Sequence, residues 1–145
     1  MGCWGITALE SDNGLDAVRC VRYNLPADGQ LDLGEMLERL KKDRWNAPCD
    51  VKLGCAHTSP MALAEIIVKY LDGDPGSLDY DEEWAAEDNK FRSITSFTAS
   101  RASLRELRDY LADTLKYARI RAERQIKAGG WFDPKDWDGW QKHME

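Results

Sequence analysis

The sequence predicts a mainly α fold: a single compact domain of four to five helices around one long helix in the C-terminal half, with at most one or two short strands. Three observations predict it. Apolar residues recur at intervals of three and four over residues 100–128, at Leu104, Leu107, Leu111, Leu115, Ala118, Ala122 and Ile126, the spacing of one face of an α-helix. Shorter stretches with the same spacing, framed by capping residues and by glycine or proline stops, lie at residues 15–25, 33–42 and 60–71. Alternating apolar and polar runs, the mark of half-buried strands, are scarce.

From the start of the chain, Gly2 and Gly5 flank Trp4, and small residues beside a large aromatic predict a tight turn that lays the indole against the core. Ser11, Asp12 and Asn13 supply turn or cap groups. Leu15, Val18 and Leu25 then share the face of a first helix, which Pro26 ends. After a turn at Ala27-Asp28-Gly29, Asp32 caps a second helix over residues 33–42, with Leu33, Met36, Leu37 and Leu40 on one side. Residues 44–58 hold Pro48, Gly54 and a Val51-Lys52-Leu53 run, so they read as a loop with room for one brief strand.

Ser59 caps the third helix, Pro60 takes its first position and Gly73 follows its end; Leu63, Ile66, Ile67, Tyr70 and Leu71 form its apolar face. A short helix is predicted around residues 84–88, and residues 94–98 read as extended. In the long helix Ser103 and Glu106 have the form of a capping box, and Gly129-Gly130 supplies the stop. The tail places Asp133 as a cap and Pro134 at a first helical position, with Trp131, Phe132, Trp137 and Trp140 around them to close the core over the long helix.

Composition bounds the function. The 145 residues are 43% hydrophobic and 32% charged, and no apolar run approaches the ~20 residues of a membrane span. The first residues lack the basic start and apolar core of a signal peptide, so the expected location is the cytoplasm. There Cys3, Cys20, Cys49 and Cys55 are expected to be free thiols. A net charge of −6 argues against direct nucleic-acid contact, which needs an excess of Lys and Arg. The oligomeric state is not legible.

The opening carries a resemblance. Gly2, Trp4, Gly5, Glu10, Ser11 and Asp12, followed by Leu15 and Asp16, resemble a family of small bacterial proteins, a domain of unknown function, that opens Met-Gly-Xaa-Trp-Gly. Its members continue into an acidic residue, Asn or Ser, Asp, and a helix. The resemblance spans about 25 residues and implies a bacterial source without implying an activity. It carries over no catalytic residue.

Candidate chemistry lies elsewhere. Between Lys69 and Lys90 there is no basic residue, while Asp72, Asp74, Asp79, Asp81, Glu82 and Glu83 form an acidic stretch. Counted from Asp72, Asp74 and Glu83 fall at calcium-loop positions, but Gly76 and Ser77 stand where the loop needs an oxygen ligand and then its turn glycine. The better reading is an acidic surface presented to a basic protein. Cys49, Cys55 and His57 form a loose metal-ligand set whose spacing matches neither short pair of a structural zinc site. Glu10 and Asp12 make a carboxylate pair for which capping is the simpler role. No catalytic residue and no cofactor are assigned. The expected function is therefore a cytosolic bacterial protein-binding module, in concrete form an acidic inhibitor or immunity-like protein. The alternatives are a metal-binding protein, or an enzyme whose site joins distant segments such as Glu10, Asp12 and His57.

Overall fold

The computed structural model describes residues 4–53, 57–79, 90–124 and 135–145. Among them the chain forms α1 (Asp12–Tyr23), β1 (Gln30–Asp32), α2 (Leu33–Lys42), α3 (Thr58–Leu71), β2 (Ser96–Thr98), α4 (Arg101–Glu123) and α5 (Trp137–Met144). Short 3-10 turns stand at Ala8–Glu10, Val51–Leu53, Pro75–Leu78 and Phe91–Ser93. The fold is mainly α, with one small parallel strand pair. No helix among the described residues is long and apolar enough to cross a membrane.

The most deeply buried helix is α3, whose Met61, Ala62, Leu63, Ile66 and Ile67 are all in the core. Against it packs α1, through Ala17, Val18 and Val21. Ser11 caps α1: its Oγ accepts from the Gly14 N–H at 3.0 Å and donates to the Ala8 carbonyl at 2.7 Å. For α2 the cap is Asp32, whose Oδ1 accepts from the Glu35 N–H at 2.9 Å. This helix buries Leu33, Met36, Leu37 and Leu40, each worth about 1.5–3 kcal/mol before ordering entropy is subtracted.

Gly29, at φ +75°, turns the chain into β1, and its carbonyl accepts from the Thr95 N–H at 2.8 Å. From there β1 pairs in parallel with β2, Gln30 opposite Ser96, Leu31 opposite Phe97 and Asp32 opposite Thr98. Residues 94–98 thus do extend, but their partner strand carries no sequence signal of its own. The expected strand at Val51–Leu53 is a 3-10 turn.

The long helix α4 packs across α2 and α3 and meets α5. Its true cap is Ser100, which accepts from the Ser103 N–H at 3.0 Å, so the predicted Ser103 box is one turn late; Ser103 is buried instead. Its buried face is also turned from the predicted stripe: Leu107, Thr114, Leu115 and Ala118 are covered, Leu111 is half-buried and Leu104 is 49% exposed. Small hydroxyl residues let α4 approach closely, with Ser103 beside Gly34 of α2. The helix ends at Glu123, ahead of Gly129-Gly130.

Further corrections concern local chemistry. Trp4 is 56% exposed and not laid on the core; its N–H reaches the Glu10 carbonyl at 2.9 Å, which turns the backbone but leaves the ring outside. The residue at the cap of α3 is His57, while Ser59 sits inside the first turn and donates to the Asn46 carbonyl at 2.5 Å. In the tail, Trp140 is fully buried and stacks on Trp137 with ring centroids 5.5 Å apart, as core closure requires. The predicted helix at residues 84–88, the cap and core roles expected of Trp131, Phe132, Asp133 and Pro134, the Gly129-Gly130 stop and the Cys3 thiol lie outside the described residues.

Candidate functional site

The acidic stretch does not form one surface. Asp72 and Asp74 are exposed beyond the end of α3, and Asp74 lies 3.7 Å from Lys69. Asp79 is buried: it accepts from the Phe91 N–H at 2.8 Å, the Arg92 N–H at 3.2 Å and the Arg92 Nε at 3.1 Å. Its assignment to a binding surface is therefore corrected, because Leu78 enters the core and carries the next residue in with it. Asp81, Glu82 and Glu83 lie outside the described residues.

The metal set is also corrected. Cys49 is disulfide-bonded, so it offers no thiolate ligand and is not the free thiol expected. Cys55 lies outside the described residues. His57 is buried, with Nδ1 3.0 Å from the Tyr110 carbonyl and Nε2 2.8 Å from the Cys49 carbonyl. Both ring nitrogens face backbone carbonyls, so neither is turned toward a metal. The Tyr110 ring meets it edge-on at 4.8 Å, and the His57 N–H reaches Thr114 Oγ1 at 3.2 Å. Histidine here is a staple between α3, α4 and the loop before α3. Among the described residues no group of His, Cys, Asp and Glu is placed to hold a metal ion.

The opening motif resolves into structure. Glu10 accepts from the Ile6 N–H at 2.8 Å and the Thr7 N–H at 2.9 Å, and the Thr7 N–H in particular holds its carboxyl below the usual range. Gly5 lies directly under that carboxylate, where a Cβ would meet the carboxyl carbon at 2.3 Å. Trp4, Gly5, Glu10, Ser11 and Asp12 therefore build the entry to α1; Gly2 lies outside the described residues. The Glu10 carboxylate is taken up by these backbone groups, the capping role expected of it.

A different surface presents recognition chemistry. After α2 the chain turns through Asp43, whose Oδ1 accepts from the Trp45 N–H at 2.9 Å, the Asn46 N–H at 3.0 Å and the Asn46 Nδ2 at 2.9 Å. These donors, the Trp45 N–H first, hold the Asp43 carboxyl below its ordinary value. The turn is pinned a second time through Ser59 on the Asn46 carbonyl. Yet the side chain it carries points outward: Trp45 is 83% exposed. Tyr23, at the end of α1, is 70% exposed. Between them runs a shallow cleft of about 360 Å³ that Asp16, Arg19, Cys20 and Asp43 also line. The Arg44 guanidinium stands 5.4 Å from the Trp45 ring centre. A rigid loop with an uncovered tryptophan, a tyrosine and arginines has the composition of an interface hot spot.

Cys20, partly buried, lines the same cleft. Burial, aided by the negative charge of Asp43, pushes its thiol up to about 11. At pH 8 Cys20 in the native protein is expected to react with iodoacetamide about tenfold or more slowly than in the unfolded chain, because so little of it is thiolate. Peptide mass spectrometry over a time course checks this. Equal rates would show that the fold does not hold the proton.

Sequence reasoning missed Tyr23 and Trp45. The signal was present in Asp43-Arg44-Trp45-Asn46, where a tryptophan stands among polar residues just past a helix and belongs to no apolar face. The chain matches no family model, no curated protein and no solved structure.

Proposed function

We propose that this chain is a bacterial protein-binding module whose partner docks on Tyr23 and Trp45. The observation that carries the reading is Trp45, fully presented to solvent by a turn that Asp43 and Ser59 hold in place. Leaving a large aromatic uncovered costs the free chain the stability its burial would give, and a partner that covers it recovers that energy. The partner is a protein with a basic rim around an apolar pocket. The net charge of −6 and the exposed Asp16-side cleft, Asp72 and Asp74 favour its approach, in the manner of an acidic inhibitor.

Affinity capture from a lysate of the source cells, followed by titration of the captured protein, tests the reading. Trp45→Ala and Tyr23→Ala are each expected to weaken binding about thirtyfold, the cost of a hot-spot residue, mainly through faster dissociation. Asp72→Asn with Asp74→Asn is expected to slow association and flatten its salt dependence while leaving dissociation nearly unchanged. Undiminished capture by the Trp45→Ala, Tyr23→Ala double variant would remove this face from the proposal.

A further inference from the structure

A second concavity lies away from the Trp45 face, where the N-terminal segment, α3, α4 and α5 meet. It has a volume of about 220 Å³ and its walls are apolar, from Ile6, Met61, Ala64, Leu111 and Met144. Val68, 51% exposed, stands at its rim. An apolar cavity of about 150 Å³ is enough for a benzene ring, so this one accommodates a ring with a short arm.

The polar groups are gathered at one side. Glu65, whose side chain is only 13% exposed, meets His143 Nε2 there, and Glu145 lines the same wall. Beside these, Arg119 pairs with Glu145 at 2.5 Å. Two carboxylates, Glu65 and Glu145, thus line the cavity; Glu145 is paired with Arg119, and among the described residues Glu65 meets only the His143 imidazole. A nearly dry carboxylate bordering an apolar cavity is complementary to an ammonium group on an apolar body.

We propose that this cavity binds a small arylalkylamine, with the ring between Met61, Ala64 and Met144 and the ammonium donating to Glu65 in place of His143. Methionine thioethers suit an aromatic guest because they are polarisable and adjust to its edge. The ligand is a fragment-sized amine, set by the volume, and a cation, set by the mostly covered Glu65 carboxylate.

The test is an NMR titration of the full chain, read on the Met61 and Met144 methyl resonances, with 2-phenylethylamine, 2-phenylethanol and 3-phenylpropionate as probes. Saturable shifts are expected with the amine, at least tenfold tighter than with the alcohol or the acid. Glu65→Gln is expected to lose at least tenfold in amine affinity while leaving the alcohol's weaker binding unchanged. Val68→Trp, placed at an exposed rim position so that the core is undisturbed, is expected to abolish binding of all three with an unaltered thermal melt. Absence of saturable shifts overturns the proposal, as does an alcohol or acid that binds as tightly as the amine. Retained amine affinity in Glu65→Gln overturns it too.

Discussion

Replacing Asp79 with alanine is expected to destabilise the protein by about 1–3 kcal/mol in denaturant melts, the cost of leaving a buried donor without its acceptor. The side chain is fully covered and its two oxygens serve three donors on the turn at Phe91–Ser93. Removing the carboxylate leaves the Phe91 N–H without its acceptor beside a ring that is itself fully buried. The turn at Pro75–Leu78 loses its tie to the turn at Phe91–Ser93 at the same stroke. Asp74→Ala is the matching control: that residue is exposed and its ion pair is long, so its loss is expected to stay within about 0.5 kcal/mol. Equal effects of the two substitutions would show that Asp79 is solvated like its neighbours.

The second large effect is expected at Gly14, in the first turn of α1. A Cβ there would lie 1.7 Å from the Ala8 carbonyl oxygen and 2.8 Å from Ser11 Oγ. The first of these is backbone and cannot step aside as a side chain does. Gly14→Ala is therefore expected to cost about 2–4 kcal/mol, combining a forced backbone shift with loss of the Ser11 cap, against a helix-propensity gain of only about 1 kcal/mol. Gly34→Ala, in the first turn of α2, meets Asp32 Oδ1 at 3.3 Å and is expected to remain within about 1 kcal/mol of the parent. Urea melts of the pair decide the point, since a mild Gly14→Ala would mean that α1 enters the fold along another path.

These positions show what the sequence made legible. Features carried by neighbours along the chain were readable: Ser11 and Asp32 as caps, the bounds of α2, and Trp140 as a core residue. They depend on hydrogen bonds to the next three residues or on a spacing of three and four. Features made by distant segments were not. His57 sits between carbonyls of Cys49 and Tyr110, and nothing near it in sequence announces the second. Asp79 looked like one more acid in a charged run, because its donors follow twelve residues later. Gly14 stood in an unremarked Asn-Gly pair, although the oxygen that excludes a side chain there belongs to Ala8. The disulfide at Cys49 withdrew the expectation of four free thiols, and with it the metal set. The aromatic face fell between methods of reading: periodicity finds what is covered, and Trp45 is defined by being uncovered.

The parallel pair of β1 and β2 also has a cost in chain entropy. Its strands are three residues long, and Asp32 and Thr98 stand 66 positions apart. Bringing such ends together costs about 4 kcal/mol of chain entropy, more than so short a ladder returns on its own. The pairing is therefore expected to form only once the helices hold the intervening chain together, and the amide protons of Gln30–Asp32 and Ser96–Thr98 are expected to exchange sooner than those of α3, which native-state hydrogen exchange checks. Asp32 caps α2 with one oxygen and meets Thr98 with the other, so each opening also loosens the start of that helix.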